Sequence, residues 1–189
     1  LYVSHTPYLG ALAKKNLLDR GKTVAAIKPV ILVQKGNPLD ISGLKDLAMS
    51  DARIALPSEE YSTTGYIVRR MLKKAGLTEE IKDNVETRSP EGSGSANAVQ
   101  MGTVDAAIVW NIFETMRPKT DSVPIEEEYQ MKKDVDAVST ATFGHIEMDY
   151  IRVTAASLTV SGQTEKARDF GRYMVSDENW DVWKKNGYL

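Results

Sequence analysis

Apolar residues along the chain recur in blocks, and the blocks switch between the helical period and continuous β-branched runs. Leu1 to Ser4 predicts a strand, and Thr6 caps a following helix with Pro7 at its first position, where the missing N–H costs nothing. Leu9, Leu12, Ala13, Asn16 and Leu17 carry that helix, and Gly21 is its expected stop. Val24 to Val33 is apolar and broken only by Lys28-Pro29, which marks a bend, a sheet edge or a crossing between two domains. Ser42 caps a short helix with Leu44, Leu47 and Ala48, and Arg53 to Leu56 suits a buried strand. Ile67, Met71, Leu72 and Ala75 then fall on one helical face, opposite Arg69, Arg70, Lys73 and Lys74, and Gly76 ends the run. Leu77 to Lys82 predicts one or two helical turns, Asn84 to Arg88 a strand, and Ala96 to Met101 a short helix stopped by Gly102. Val104 to Trp110 is the best buried strand and leads into a helix over Asn111 to Met116. Arg117 to Ala137 is polar, with an acidic run at Glu126 to Glu128 read as a solvated face. Tyr150 to Leu158 predicts a strand, and two helices follow. One spans Gln163 to Met174, and the other is capped by Ser176 and carries Trp180 and Trp183. Strands alternating with helices give an α/β fold with largely parallel sheets.

Three strand-to-helix turns carry the candidate chemistry. Ser62, Thr63 and Thr64 precede an amphipathic helix, whose first N–H groups have no intrahelical partner. Hydroxyls beside free N–H groups bind an anion without a formal positive charge, although one of them is needed as an ordinary cap. Gly92, Ser93, Gly94 and Ser95 form the second turn. Small residues there allow close approach of backbone to ligand, and successive N–H groups can form a nest. Trp110 and Asn111 form the third. In a parallel sheet all three lie at the carboxyl ends of strands, where ligands bind.

Composition narrows the rest. With 42% hydrophobic and 26% charged residues the chain is globular, and a net charge of −2 does not recommend nucleic acid as a partner. Its 189 residues suffice for one large domain or two small ones. The absence of cysteine excludes disulfides, thiolate metal sites and cysteine catalysis. His5 and His145, the only histidines, stand in no metal-ligand spacing. No glycine motif is complete and no carboxylate pair stands out, so an enzyme is not expected.

Several short motifs together resemble the solute-binding proteins of ABC importers, in their molybdate-binding branch. These are Lys35-Gly36-Asn37-Pro38 after an apolar strand, Leu44 to Ala48 before Arg53 to Pro57, Thr64-Gly65-Tyr66 through Gly76, Gly102 to Val109, and Phe170 to Ser176 with Asn186-Gly187-Tyr188. The resemblance implies a two-lobed periplasmic-binding-protein-like fold that closes over an oxyanion. Residues 33–125 would form one lobe, and residues 1–32 with 126–189 an incomplete other, with native residues expected before Leu1. It implies that the backbone and hydroxyl near Thr64, and N–H groups near Gly92 and Ser93, contact the anion. Trp110 stands where the family often has a tyrosine. The implied ligand is a molybdate- or tungstate-like oxyanion, with sulfate, phosphate or a ligand-sensing regulator domain as alternatives. The implied partner is a membrane permease. No cofactor is expected, and the chain would act as a periplasmic or lipid-tethered monomer. The turns offer mostly donors, and Glu59, Glu60 and Glu91, which flank them, are expected to face solvent. On that donor-only reading phosphate binds at least about tenfold more weakly than a fully ionised dianion.

Overall fold

The structure is a computed structural model that describes residues 1–132, 136–140, 144–147 and 151–189. The chain divides into two compact units, Leu1–Ile27 with Lys132–Leu189, and Lys28–Met131.

The first unit is built on a three-stranded antiparallel sheet. Strand β1 (Tyr2–His5) and strand β2 (Leu18–Ile27) flank the long β10 (Ile151–Leu158). Helix α1 (Thr6–Lys14) does not run to Gly21. Asn16 takes the left-handed conformation at φ 56°, and the Leu17 N–H returns to the Leu12 carbonyl, which closes the helix one turn early. Gly21 lies inside β2 instead, where a Cβ would meet Thr154 at 3.0 Å. The cap of α1 is His5 rather than Thr6, without a side-chain bond. Strands β8 (Ala137–Thr140) and β9 (Gly144–Glu147) form a hairpin that the polar composition did not reveal. Helix α6 (Thr164–Met174) buries Ala167 and Gly171, and α7 (Asp177–Lys185) follows. Trp183 packs edge-on against Tyr188 and donates its indole N–H to the Met174 carbonyl at 2.9 Å. Ala26 and Leu189 exchange backbone hydrogen bonds and fix the C-terminus to β2. Tyr150, the expected first residue of β10, lies outside the described residues.

The second unit carries a five-stranded sheet in the order β5-β4-β6-β3-β7. Its strands are β3 (Pro29–Gln34), β4 (Ile54–Pro57), β5 (Val85–Ser89), β6 (Ala106–Trp110) and β7 (Thr120–Pro124). Only β4 pairs in parallel, with β5 and β6; β3 runs antiparallel to both of its neighbours. The α/β architecture matches the expectation, but the sheets are mixed rather than largely parallel. The reason is that β3 is followed by a turn and a short helix, α2 (Leu44–Met49), and pairs with strands that return to it from later in the chain. Pro29 is the first residue of an interior strand, a position where a missing N–H is tolerated. Strand β7 falls in the segment expected to be polar; Thr120 and Val123 are its buried residues. Leu77 to Lys82 forms turns, with a 3₁₀ helix only at Lys82–Asn84.

Helix α3 (Thr63–Ala75) buries Ile67, Val68, Met71 and Leu72, each worth about 1.5–3 kcal/mol when fully removed from water. Gly76 ends it in the left-handed conformation, as the sequence predicts. Helix α4 (Gly92–Gln100) begins four residues earlier than expected. Gly92 to Ser95 is its first turn, not a loop, and neither Gly92 nor Gly94 has a positive φ. Helix α4 packs on a core of Leu32, Ala55, Ala96, Val99, Val104, Ala107 and Val109, with Phe113 of the short helix α5 (Ile112–Met116) at its border.

Candidate functional site

The parallel strands β4, β5 and β6 end on one edge of the second unit's sheet, and the three candidate turns follow those ends. The Ser58 N–H donates to the Ser89 carbonyl at 2.7 Å and ties the exits of β4 and β5 together. After β6, the Asn111 side chain accepts from the Lys28 N–H at 2.8 Å, so the end of β6 is clamped to the start of β3. Trp110 closes β6 and is 6% exposed.

At the start of α3, Ser62 is the N-cap, and its hydroxyl accepts from the Gly65 N–H at 3.5 Å. Thr63 is the first helical residue. Thr64 is 3% exposed, and its hydroxyl has no hydrogen-bond partner among the described residues. The one fully buried side-chain atom without a partner in those residues is Gln100 Oε1, so the Thr64 oxygen keeps access to solvent. Gly65 lets this turn lie directly on β4. A Cβ there would stand 2.3 Å from the Ser58 carbonyl oxygen and 2.4 Å from that of Pro57.

At the start of α4, Glu91 is the N-cap and Gly92 is buried. A Cβ on Gly92 would lie 3.7 Å from Thr64 Oγ1 and 3.3 Å from the Phe113 ring. The starts of α3 and α4 are therefore neighbours, and Thr64, Gly92 and Phe113 meet at one point. Ser93 is partly buried, and its hydroxyl donates to the Glu91 carboxylate at 3.3 Å. Gly94 turns the other way: a Cβ there would stand 2.8 Å from Ser89 Cβ. Ser95 is fully buried and shares a 2.6 Å hydrogen bond with Ser89, whose hydroxyl also lies 2.6 Å from the Glu91 carbonyl. Gly94 and Ser95 thus seat the helix on β5, while Gly92 and Ser93 face the start of α3.

The charges around these turns are already engaged. Glu59 pairs with Arg69 at 3.0 Å. Glu60 accepts a hydrogen bond from Tyr61, which raises the phenol above its ordinary pKa. Arg117 donates to Asn97 Oδ1 at 2.7 Å and lies 5.8 Å from the centre of the Phe113 ring. What the two helix starts present is N–H groups, hydroxyls and one carboxylate. His5 is half-buried and its pKa is lowered by that burial. Among the described residues there is no His/Cys/Asp/Glu cluster able to hold a metal ion, and no helix is long and apolar enough to cross a membrane.

This fold, with paired strand-to-helix turns at one sheet edge, is that of the two-lobed periplasmic binding proteins. The match to the bacterial extracellular solute-binding proteins covers residues 1–189, and the chain belongs to that family. No curated protein matches it in sequence. Among solved structures it is similar to Peb3 from Campylobacter jejuni, at 24% identity over 94% of this chain and 74% of that one, with a TM-score of 0.69. Another structure of that protein holds L-phospholactate. The periplasmic molybdate-binding protein of Azotobacter vinelandii is 14% identical over 99% of this chain and 77% of its own, with a TM-score of 0.69. A sulfate-binding protein from Mycobacterium tuberculosis is 16% identical over 98% and 67%, with a TM-score of 0.71. At these identities the likeness is one of fold. The family is one of extracellular solute-binding proteins, and the chain shares its fold with periplasmic binding proteins.

Proposed function

We propose that the solute is an oxyanion, held where α3 and α4 begin side by side, and delivered to a membrane permease without chemical change. The observation that carries this reading is the Thr64 hydroxyl. Thr64 is a buried residue whose hydroxyl oxygen keeps access to solvent and lies beside Gly92 at the adjacent helix start. A hydroxyl open to solvent beside two helix starts can turn from water to an anion oxygen. The free N–H groups of two converging helix starts supply further donors and favourable dipoles. Ser62, Thr63, Gly92 and Ser93 complete the donor set, and Trp110 stands at the neighbouring strand end. Gly94 serves the same site by letting α4 approach β5.

Molybdate and tungstate are the solutes the sequence motifs imply. The solved relatives with the same fold include proteins for molybdate, sulfate and thiamin and one that holds L-phospholactate, so the oxyanion reading rests on the two helix starts. No cofactor is invoked, and the protein would work outside the cytoplasm as a monomer, in the periplasm or on a lipid tether. Calorimetric titration of molybdate, tungstate, sulfate and phosphate tests the reading. At least one should bind, and Thr64→Val, an isosteric loss of the hydroxyl, should weaken every ion that binds by about tenfold, the factor that about 1.4 kcal/mol produces. No binding of any of the four to a chain with native circular dichroism overturns it.

A further inference from the structure

The second unit holds a cavity of about 290 Å³ that the oxyanion reading does not use. None of Thr64, Gly92, Ser93 and Trp110 lines it. Helix α3 packs over β4, and β5 is the last strand of the sheet, which leaves a trough along the flank of the helix. The floor of that trough is apolar. Leu56 of β4, Val68 and Leu72 of α3, and Ile81 just before the 3₁₀ helix form it, each no more than 5% exposed.

Five charged side chains line the same cavity, and four of them cancel in pairs. Glu59 holds Arg69 at 3.0 Å, and Glu79 holds Lys82 at 3.6 Å. Arg88, the next-to-last residue of β5, has no hydrogen bond or ion pair among the described residues. The cavity therefore joins one uncompensated positive charge to an apolar floor. A ligand that matches it carries one negative charge and an apolar body. A guanidinium takes a carboxylate through two parallel N–H···O bonds. A doubly charged oxyanion would leave one charge uncompensated near Glu59 and Glu79 and would gain nothing from the floor. The volume stands at the lower end of the range for ligand pockets, about 300–1,000 Å³, so the body is short.

We propose that this cavity is a second ligand site, separate from the oxyanion site, for a small monocarboxylate with a short apolar chain. Arg88 holds the carboxylate, and the chain lies on Leu56, Val68, Leu72 and Ile81. Its test is calorimetric titration of the full chain with three probes. These are hexanoate, acetate, which lacks the apolar body, and hexanamide, which lacks the charge. Hexanoate should bind, and the other two should bind at least about tenfold more weakly. Arg88 is exposed, so Arg88→Gln should keep the native circular dichroism. It should weaken hexanoate by about tenfold and leave the affinity for any bound oxyanion unchanged. The proposal is overturned if hexanoate does not bind, if acetate or hexanamide matches it, or if Arg88→Gln binds it as well as the native chain does. Displacement of hexanoate by molybdate, tungstate, sulfate or phosphate would put it in the other site and overturns the proposal too. Failure of those four ions to bind would remove the oxyanion reading and leave the hexanoate result to stand or fall by itself.

Discussion

The starts of α3 and α4 follow neighbouring parallel strands, lie side by side and solve one geometric problem with opposite chemistry. Each needs a glycine to let a helix rest on the end of a strand: Gly65 sits against the carbonyls of Pro57 and Ser58, and Gly94 against the side chain of Ser89. The start of α3 is then finished with hydroxyls, one used as a cap and one left without a partner. The start of α4 is finished with a carboxylate that accepts a hydrogen bond from the Ser93 hydroxyl. Similar backbone frames thus present hydroxyls at one helix start and a carboxylate at the other. The difference lies in two or three side chains, which is how a single fold comes to serve several ligands.

The two glycines give the largest expected effects and separate the frames. At Gly65 the obstacle is backbone, at 2.3 and 2.4 Å, and backbone cannot rotate away. Gly65→Ala should cost about 3 kcal/mol or more, the upper range for overpacking. At Gly94 the obstacle is a side chain at 2.8 Å that can shift. Gly94→Ala should cost about 1–2 kcal/mol, partly returned by the better helix propensity of alanine. Urea unfolding of both variants gives the comparison. Equal losses would mean that the two helices are seated with the same tightness, and the contrast between backbone and side-chain contact would be lost.

The opposite ends of the same strands offer a second contrast. Where β4 and β6 begin, Arg53 and Asp105 form a two-pronged ion pair, with Nε at 3.0 Å and Nη2 at 2.9 Å, and the Arg53 N–H joins at 2.9 Å. The hydrogen bond from the Arg53 side chain, and then its backbone N–H and its charge, hold the Asp105 carboxyl below its ordinary pKa. A carboxyl depressed in the folded state stabilises the protein above its unfolded pKa, and the contribution is lost as pH falls through the folded value. The pair is partly exposed, so screening limits it to about 1 kcal/mol. Asp105→Asn should therefore lower stability by that amount at neutral pH and by nothing in acid. Urea midpoints measured at both ends of the range decide it, and a gap that persisted in acid would assign the loss to packing instead.

These contrasts also explain what could be read from the sequence. The start of α3 was legible because periodicity, the hydroxyl run and Gly76 all pointed the same way, and β6 was legible as an unbroken apolar run. The start of α4 was not. Gly92-Ser93-Gly94-Ser95 has the composition of a loop, and the helix forms there because tertiary contact outweighs propensity. One signal was present: Gly92, Ser95, Ala96 and Val99, all buried, stand at positions i, i+3, i+4 and i+7 of a single helical face. Small residues carry little hydrophobic weight, so the periodicity did not register. Antiparallel pairing of β3 was hidden for a different reason, since its partners lie far along the chain and leave no local mark. The unequal fates of Glu59, Glu60 and Glu91 could not be read at all. All three are acidic residues beside a turn, and only the positions of Arg69, Tyr61 and Ser93 distinguish them.

The smallest expected effect concerns the division of labour within the hydroxyl run itself. Ser62 and Thr64 are two residues apart, but Ser62 is the cap and Thr64 points towards Gly92. The bond from Gly65 N–H to Ser62 Oγ is 3.5 Å long, well beyond the usual 2.9–3.0 Å. A cap at that distance belongs to the weak end of the range, so Ser62→Ala should cost about 0.5 kcal/mol of stability. Because the oxygen accepts within the helix, its loss should disturb ligand less than loss of the Thr64 hydroxyl, which has no such duty. Oxyanion affinity in Ser62→Ala should then fall by less than about tenfold, the drop expected of Thr64→Val. Calorimetry and urea unfolding on the two variants side by side give both numbers. If Ser62→Ala left stability intact and removed as much affinity as Thr64→Val, Ser62 would be a ligand donor and the helix would be capped by the bound anion.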